Sequence, residues 1–306
     1  MTGASGLVGS ALLRALREAG IEGVLPAARR GQPVVLDLTS PRIELPGGID
    51  GVLHLAGERV DVARMRAVNV DGTVRLVDAA AAAGARVFVH LSSVGVYGAP
   101  LHSGIVGESF ARAPRGPYET SKSEGESRVR ERCAALGLRC VVLQPSNIIA
   151  VDGGRRPLLG LVRAVAGGRF VWFGSRQALV NYVGVADVAS AVIAAWRRTD
   201  ATGSYIVNTP APLASFVSWI AQALDCRVPT TRLPYWLGAL AAAGGAVGRS
   251  VLGRELPLSP ERLRELTNTT RFDGSAIERA LQWRYPLGIE RTVRDLASHY
   301  RCEGWV

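Results

Sequence analysis

Apolar runs alternate with amphipathic segments along the first half of the chain. The runs have the length and composition of buried strands, and they occupy residues 23–28, 34–38, 51–57, 86–93 and 139–146. Segments with helical spacing of apolar positions lie between them, at residues 9–20, 63–84 and 123–137. Strands that are apolar on both faces and alternate with helices are typical of a parallel sheet covered by helices on both sides. The pattern therefore predicts a doubly wound α/β fold.

The alternation weakens past the fifth run, and this change predicts a second lobe. Residues 180–209 return to a strand followed by a helix, whereas residues 210–306 are mostly helical with proline-rich breaks. We therefore predict that residues 1–146 form the sheet domain together with 180–209. Residues 147–179 and 210–306 are predicted to form a smaller, mostly helical lobe that binds the substrate.

One segment of this second lobe, residues 236–248, consists of apolar and small residues. Arg232 and Arg249 flank it, and its 13 residues are too few to span a bilayer. We predict a buried helix or a hydrophobic lid here. Contact with a membrane interface is the alternative.

The composition fits a folded protein that does not bind nucleic acids. With 306 residues and 48% hydrophobic residues, the chain has enough apolar side chains for a buried core, which argues against disorder. Its formal net charge is +10, but the arginines are scattered and no basic run exceeds two residues. Nucleic-acid-binding proteins normally cluster their basic residues. We therefore predict a small-molecule substrate, and a basic chain favours a phosphorylated one.

The cysteines and histidines predict no metal site. The four cysteines form no C-x-x-C pair, and the four histidines are far apart in the sequence. Reduced thiols are expected in a cytoplasmic protein, and the N-terminal segment lacks the basic and apolar regions of a signal peptide. We therefore predict a cytoplasmic protein without a metal and without stable membrane insertion.

The segment TGASGLVG, residues 2–9, places Gly3, Gly6 and Gly9 directly before a predicted amphipathic helix. Glycines at this spacing allow a tight turn, and the helix N-terminus offers free N–H groups to a pyrophosphate. Followed by strands at βα spacing, the turn predicts a Rossmann-type dinucleotide site. Such a fold needs a strand before the turn, but only one residue precedes the motif. We therefore expect the first strand to be missing or truncated, or the natural chain to start upstream.

Two arginines, Arg29 and Arg30, follow the apolar run 23–28. An acidic residue at this point binds the ribose 2′-hydroxyl of NAD, whereas arginine suits a 2′-phosphate. The pair therefore favours NADP, with NAD as the alternative cofactor. Two solvated loop arginines would be the alternative explanation.

Lys122 is the only lysine among the 36 lysines and arginines, and it lies four residues after Tyr118. A helix that starts near Pro117 puts both side chains on one face. A cation near a phenol lowers the phenol pKa, so that Tyr118 exchanges a proton with an alcohol or ketone near neutral pH. The ammonium also reaches a ribose hydroxyl where a planar guanidinium would not fit. We predict a catalytic pair, and a surface lysine retained by chance is the alternative.

Ser92 and Ser93 end the apolar run 86–93. The ligand crevice of an open α/β sheet lies at the carboxyl ends of its strands. A hydroxyl there is placed to hold a substrate oxygen, although a serine pair at a strand end is also a common turn device.

Five motifs together resemble the extended short-chain dehydrogenase/reductases of the epimerase/dehydratase branch. They are TGASGLVG, NVDGT at 69–73, SSVGVYG at 92–98, YETSK at 118–122 and NYVGVADVASA at 181–191. The resemblance covers essentially the whole chain. It implies a catalytic set of Ser93, Tyr118 and Lys122, in which Tyr118 is the acid/base.

The resemblance also implies how the cofactor is held. Asp37 and Leu38 would flank the adenine, Asn69 would support the nicotinamide side, and Pro145 and Ile148 would border the nicotinamide. The complete predicted cofactor set is Gly3, Ser5, Gly6, Leu7, Gly9, Arg29, Arg30, Asp37, Leu38, Leu55, Ala56, Gly57, Asn69, Tyr118, Lys122, Pro145 and Ile148. The predicted substrate contacts are Val94, Asn147, Trp172 and Tyr182.

The chain departs from the nucleotide-sugar members of this family. Where such members carry a diphosphate-binding arginine and a histidine, this chain has Val180 and Gly184. The run SNIIAVDGG, which follows Pro145, replaces a Tyr-Gly-Pro segment. A diphosphate would then depend on other arginines, for which the candidates are Arg155, Arg156, Arg169 and Arg176.

These residues leave three functions open. The main prediction is an NADPH-dependent reductase of a ketone, in which Tyr118 supplies the proton and Ser93 holds the substrate oxygen. The alternative is an NAD-dependent nucleoside-diphosphate-sugar 4-epimerase or dehydratase. Residues 258–300 resemble the C-terminal segments of epimerase-like proteins from polysaccharide clusters, and they also resemble those of steroid-type relatives. The third is a non-catalytic dinucleotide sensor, against which the intact Ser-Tyr-Lys set argues. The resemblance also implies a homodimer through the helices near 63–84 and 118–137.

Overall fold

The structure is a computed structural model that describes residues 1–98, 104–151, 156, 158–173, 177–252 and 260–306. Two arginines considered above, Arg155 and Arg176, lie outside the described residues. The helices in chain order are α1 (Leu7–Glu18), α2 (Val62–Arg66), α3 (Thr73–Ala82), α4 (Pro117–Ala135), α5 (Leu159–Ala166), α6 (Val185–Arg197), α7 (Leu213–Ala223), α8 (Tyr235–Leu252), α9 (Pro260–Thr267), α10 (Ser275–Leu281) and α11 (Gly288–Cys302). A π-helical turn, Ala67–Gly72, joins α2 to α3, and a short 3₁₀ helix spans Val94–Tyr97.

The strands follow the same alternation. They are β1 (Ala27–Ala28), β2 (Val34–Val35), β3 (Gly51–His54), β4 (Val87–Leu91), β5 (Gly104–Val106), β6 (Arg139–Pro145), β7 (Asn147–Ile149), β8 (Trp172–Phe173), β9 (Leu179–Val180), β10 (Tyr182–Gly184), β11 (Gly203–Val207), β12 (Ala211–Pro212), β13 (Arg232–Leu233) and β14 (Thr270–Phe272).

The central sheet is parallel, with β3, β4, β6 and β11 side by side in that order and β1 paired with β2. Thr2 forms single bridges to Ala27 in β1 and to His54 in β3, and thereby joins the two parts. The Ala27 amide donates to the Met1 carbonyl over 2.7 Å, and the Thr2 amide donates to the Leu53 carbonyl over 2.9 Å. At the place of the strand that the sequence predicts to be missing or truncated, Thr2 forms these two isolated bridges and the Met1 carbonyl adds one backbone hydrogen bond.

Helices cover both faces of this sheet, as predicted. Along β4, Val87 and Val89 belong to the buried cluster that contains α1 and α6. Phe88, between them, belongs to the cluster that contains α3 and α4 on the opposite face. Successive side chains of a strand point to opposite faces, so a strand covered on both sides must be apolar throughout. The parallel α/β fold predicted from the continuous apolar runs is confirmed.

The second lobe has its own buried cluster, which joins α5, α7 and α11 around residues such as Val162, Phe216 and Leu296. Ile277 and Leu281 of helix α10, which the prediction assigns to the second lobe, belong to the buried cluster that contains α1 and α6. The division of the chain at residue 210 stays a prediction.

Helix α8 contains the apolar segment 236–248, and the prediction of a buried helix is wrong for one of its faces. Ala242 is buried, whereas Trp236 is 60% exposed and Leu240 is 63% exposed. Among residues 235–243, whose side chains are described, the second lobe buries Gly238 and Ala242. None of the helices among the described residues combines the length and the apolar character that crossing a membrane requires.

Candidate active site

The turn before α1 leaves its backbone open to a ligand. Gly3 has a φ of +70°, a conformation that favours glycine. A Cβ atom at Gly9 would lie 2.1 Å from the Gly3 carbonyl oxygen, so α1 packs against the turn only because Gly9 lacks a side chain. Ser5, Gly6 and Leu7 are exposed, and no described side chain caps the helix. The predicted phosphate turn therefore has the open N–H groups that an anionic ligand needs.

The segment after β3 lies against this turn. A Cβ atom at Gly3 would lie 2.7 Å from the Ala56 amide nitrogen. The Leu55 amide donates to the Thr2 carbonyl over 3.4 Å, and the Ala56 amide donates to the Thr2 hydroxyl over 3.3 Å. Leu55 and Ala56 are half-buried, and Gly57 is exposed. The structure thus brings together two parts of the predicted cofactor site that are about 50 residues apart in the chain.

The predicted ribose and adenine end lies after β1 and β2. The arginine pair 29–30 directly follows β1, and both residues are exposed. The Asp37 carboxylate accepts from the amide and the hydroxyl of Thr39, each over 2.8 Å. These hydrogen bonds, with a smaller effect of nearby arginines, lower the pKa of Asp37. Asp37 is exposed and Leu38 is buried, and their contacts with an adenine stay a prediction.

Helix α4 begins as the sequence predicts. Pro117 occupies its first position, where a missing N–H has no cost. The Glu119 carboxylate accepts from the Gly116 amide over 3.4 Å and so caps the helix start. The helix carries Tyr118 and Lys122 one turn apart, on a shared face.

The π-helical turn 67–72 holds α4 in place through Asn69. A Cβ atom at Gly125 would lie 2.2 Å from the Asn69 carbonyl oxygen, so the helix and the turn are in close contact. The buried Asn69 side-chain amide donates to the Ser121 hydroxyl over 2.9 Å and to the Glu58 carbonyl over 2.8 Å. Its Oδ1 accepts from the Glu58 amide over 2.7 Å. Asn69 therefore links α4 to the segment after β3, and its support of a nicotinamide stays a prediction.

Tyr118 is half-buried at the start of α4. Burial raises the pKa of its phenol, and Arg59 opposes this effect. The guanidinium carbon of Arg59 lies 6.0 Å from the centroid of the Tyr118 ring. Glu58 shapes the segment that carries Arg59, because its Oε1 accepts from the amides of residues 59, 60 and 61. Sequence analysis missed Arg59 and Glu58, although their position directly after a strand end at the crevice is a usable signal.

Lys122 is buried, and its ammonium donates to the Leu91 carbonyl over 2.7 Å. Burial lowers the pKa of Lys122 to about 8. Behind it, the buried rings of His54 and His90 stack with centroids 5.3 Å apart. Burial, followed by the charge of Lys122, lowers the pKa of both histidines. In this arrangement the lysine bonds a backbone carbonyl, so its predicted effect on the phenol pKa stays a prediction.

Ser93 lies between β4 and the short 3₁₀ helix. Its Oγ accepts from the Gly95 amide over 3.1 Å, and the hydroxyl keeps a proton that it can donate. A Cβ atom at Gly95 would lie 3.3 Å from the Ser93 Oγ and 3.1 Å from the Cγ of Glu119. The structure therefore places Ser93 and the residue next to Tyr118 on either side of Gly95. The neighbouring Ser92 is buried.

The remaining predicted contacts lie beside the same strand ends. Pro145 ends β6 and is buried, whereas Ile148 in β7 is half-buried and Asn147 is exposed. Val94 is half-buried and packs against a small apolar cluster that includes Tyr97. Their contacts with a cofactor or a substrate stay predictions.

Trp172, a predicted substrate contact, is buried in the second lobe, and its role toward a substrate stays a prediction. This residue is 5% exposed, and its indole N–H donates to the Pro229 carbonyl over 2.8 Å. Its ring packs edge to face on Phe170, with centroids 4.9 Å apart, so Trp172 forms part of the core of the second lobe. Tyr182 is half-buried and stacks on Phe216 at 5.5 Å, and burial raises its pKa to about 12.

The structure describes Gly184, which replaces the family's histidine, and two of the four candidate diphosphate arginines, Arg156 and Arg169. A Cβ atom at Gly184 would lie 2.6 Å from the Thr292 Oγ1, so a histidine does not fit there without a shift of Thr292. The guanidinium of Arg156 lies 3.6 Å from the centroid of the Trp305 ring, and Arg169 is exposed. Neither arginine is identified as a diphosphate ligand by these contacts.

The parallel sheet and the glycine turn before α1 define a Rossmann-type α/β protein. Residues 1–208 match the sequence profile of the NAD dependent epimerase/dehydratase family. This match spans more than half of the chain, and the chain therefore belongs to the NAD dependent epimerase/dehydratase family. The resemblance found in the sequence motifs is confirmed.

Individual relatives match most of the chain. The chain is 26% identical over 315 residues to N-acetyl-alpha-D-glucosaminyl-diphospho-ditrans,octacis-undecaprenol 4-epimerase of Escherichia coli O157:H7, which covers 96% of this chain and 93% of that protein. It is 31% identical over 250 residues to UDP-glucose 4-epimerase of Streptomyces lividans, which covers 68% of this chain and 74% of the other. These matches favour the epimerase or dehydratase alternative over the reduction of a ketone, which neither of them specifically supports.

A solved structure shows the same fold. A short-chain dehydrogenase/reductase superfamily protein from Agrobacterium tumefaciens with bound NAD superposes with a TM-score of 0.72. The two chains are 23% identical, and the superposition covers 99% of this chain and 96% of the other. At this identity the likeness concerns the fold alone.

Proposed function

We propose that this protein is an NAD(P)-dependent 4-epimerase of a sugar that is carried on a diphosphate. The observation that carries the proposal is the match to a 4-epimerase over 96% of the chain. That relative acts, by its name, on a saccharide linked through a diphosphate to undecaprenol. Because the match includes the second lobe, it supports more than a shared nucleotide-binding domain.

The glycine turn fits a dinucleotide cofactor. Gly3 and Gly9 leave no space for side chains, and the N-terminus of α1 is open, as a pyrophosphate requires. The arginine pair 29–30 would hold the ribose end, and the segment Leu55, Ala56 and Gly57 would line the cofactor. When bound, the nicotinamide supplies reversible acceptance of a hydride, so that an epimerisation has no net oxidation.

The side chains of the chain itself would move the proton. Tyr118, as a phenolate, would take the proton of the sugar 4-hydroxyl and return it to the same oxygen after inversion at carbon. Ser93 would donate a hydrogen bond to that oxygen while it carries negative charge or carbonyl character. The guanidinium of Arg59, above the Tyr118 ring, would favour the phenolate.

The test is an assay of products rather than of cofactor oxidation. The full chain and NAD are incubated separately with UDP-glucose and with detergent-dispersed N-acetylglucosaminyl-diphospho-undecaprenol, and the 4-epimers are separated by chromatography. We expect conversion of at least one substrate without a lasting change in absorbance at 340 nm. Absence of any epimer would contradict the proposal.

A second candidate function is the reduction of a ketone by NADPH. The exposed arginine pair 29–30 at the end of β1 favours it, because a 2′-phosphate suits a cofactor used for net reduction. A parallel assay with NADPH and a panel of ketones measures this activity. Oxidation of NADPH by a ketone, together with tighter binding of NADPH than of NADH, would favour the reductase over the epimerase.

A further inference from the structure

Exposed apolar side chains are concentrated at the start of α8 and in the residues just before it. We call this group the apolar patch; its members, each 38–63% exposed, are Val228, Leu233, Tyr235, Trp236 and Leu240. They make up five of the fourteen large apolar side chains that are exposed in the described part of the chain. Scattered single exposures are ordinary, whereas several exposed apolar side chains within one short stretch of the chain are typical of an interaction surface.

Helix geometry explains why these side chains face outwards. Gly238 and Ala242 are buried on the inner face, one turn apart, and a Cβ atom at Gly238 would lie 2.6 Å from the ring of Phe173. Trp236 and Leu240 lie one turn apart on the outer face. The inner face of α8 is thus filled by the second lobe. Within residues 235–243, whose side chains are described, the outer face is also apolar, although a helix at a water-exposed surface normally has polar residues there.

Basic residues outnumber acidic ones in the sequence next to the apolar patch, where the exposed Asp225 is the nearest acidic residue before it. Residues 226–252 contain Arg227, Arg232 and Arg249 and no aspartate or glutamate. Arg227 and Arg232, the two whose side chains are described, are exposed beside the patch. An apolar face flanked by arginines, with a tryptophan and a tyrosine in it, is the composition of helices that lie in the interface of a membrane.

We propose that the apolar patch docks this protein on the surface of an anionic lipid bilayer. Trp236 and Leu240 would enter the interfacial layer, and Arg227 and Arg232 would contact acidic headgroups. A symmetric contact between two copies fits less well, because it would bring the arginines of both copies together. The proposal rests on the apolar patch and its two arginines and does not depend on the proposed function, although a lipid-linked substrate would lie at the same surface.

The test is flotation of the full chain with vesicles in the absence of substrate. Vesicles of phosphatidylcholine alone are compared with vesicles that contain phosphatidylglycerol, at low and at physiological salt. We expect binding to the anionic vesicles only. The double variant Trp236→Ser/Leu240→Ser should lose at least about tenfold in partitioning, because it removes the apolar contact. Arg232→Gln should lose about fivefold, since it removes one headgroup contact.

Ile105→Ser is the matched control, because Ile105 is 66% exposed and lies outside the patch. It should float like the unmodified protein, and thermal unfolding should show that all variants keep their fold. The double variant should also keep its activity on a water-soluble UDP-sugar, which separates docking from catalysis. The proposal is overturned by absence of flotation at low salt, by equal flotation of the double variant, or by a concentration-dependent dimer that the double variant abolishes. The last result would instead assign the patch to a second copy of the chain.

Discussion

The dipeptide Pro-Tyr marks the beginning of both α4 and α8: Pro117 is the first residue of α4, whereas Pro234 directly precedes Tyr235, the first residue of α8. The two helices differ in which side chains they bury. Helix α4 is rich in polar and charged residues and buries several of them, among them Ser121, Lys122 and Glu126. Helix α8 is almost wholly apolar and exposes Tyr235 and Trp236. Both helices therefore depart from the usual rule that apolar residues are inside and polar residues outside.

Buried polar residues in α4 and exposed apolar residues in α8 have different physical consequences. Around α4, three buried polar groups have partners among themselves or in the backbone: Asn69 bonds Ser121, and the Lys122 ammonium bonds the Leu91 carbonyl. These bonds offset the cost of desolvation and fix Tyr118 at the strand ends. Around α8, apolar side chains that find no partner in the lobe stay at the surface. The first arrangement is typical of a site of chemistry and the second of an interaction surface.

The largest expected effect is on kcat, and it should occur for the tyrosine at the start of α4 but not for the one at the start of α8. Tyr118→Phe should lower kcat by about 10²- to 10⁴-fold, because it removes the group proposed to transfer the proton. Binding of NAD or NADP, measured by calorimetry, should remain. Tyr235→Phe is the matched control and should leave kcat unchanged. Full activity of Tyr118→Phe would refute the role proposed for this residue.

A second experiment compares the glycines by which each helix packs. Gly125→Ala should destabilise the protein by about 1–3 kcal/mol, because the new methyl group would meet the Asn69 backbone carbonyl. It should also lower kcat, since α4 carries the proposed acid/base. Gly238→Ala should destabilise by displacing the ring of Phe173 and leave kcat unchanged.

Gly160→Ala in α5 is the control for these two glycines, because nothing lies within 4 Å of the added atom. It should stabilise the protein by up to about 1 kcal/mol in chemical denaturation. A neutral Gly125→Ala would mean that α4 and the π-helical turn are not in the close contact described.

The smallest expected effect concerns Arg59. Its charge lowers the pKa of Tyr118 against the effect of burial, so Arg59→Met should raise that pKa. The proton acceptor is the phenolate, and a higher pKa leaves less of it at a given pH. The ascending limb of kcat/KM against pH should therefore move to higher pH, and the rate at pH 7 should fall about two- to fivefold. Arg59→Lys keeps the charge and should restore most of the rate. An unchanged pH profile of Arg59→Met would remove Arg59 from the site.

Local spacing was sufficient to predict much of the fold and part of the site. Runs apolar at every position predicted buried parallel strands, as Val87, Phe88 and Val89 of β4 show. The glycine spacing predicted the turn before α1, and the interval between Tyr118 and Lys122 predicted a shared helical face. These features depend on residues that are near one another in the chain, so periodicity and steric rules suffice to find them.

The sequence by itself therefore determined the α/β class, the start of α4 and the family to which the chain belongs. Only the tertiary structure decided which aromatic residues are buried. Trp172 packs against Phe170 inside the second lobe and donates a hydrogen bond to the Pro229 carbonyl, whereas Trp236 is exposed. The tertiary structure also brought Arg59 over the Tyr118 ring. The physical reason is that burial and charge contacts depend on groups from distant segments, which no local pattern of the chain records.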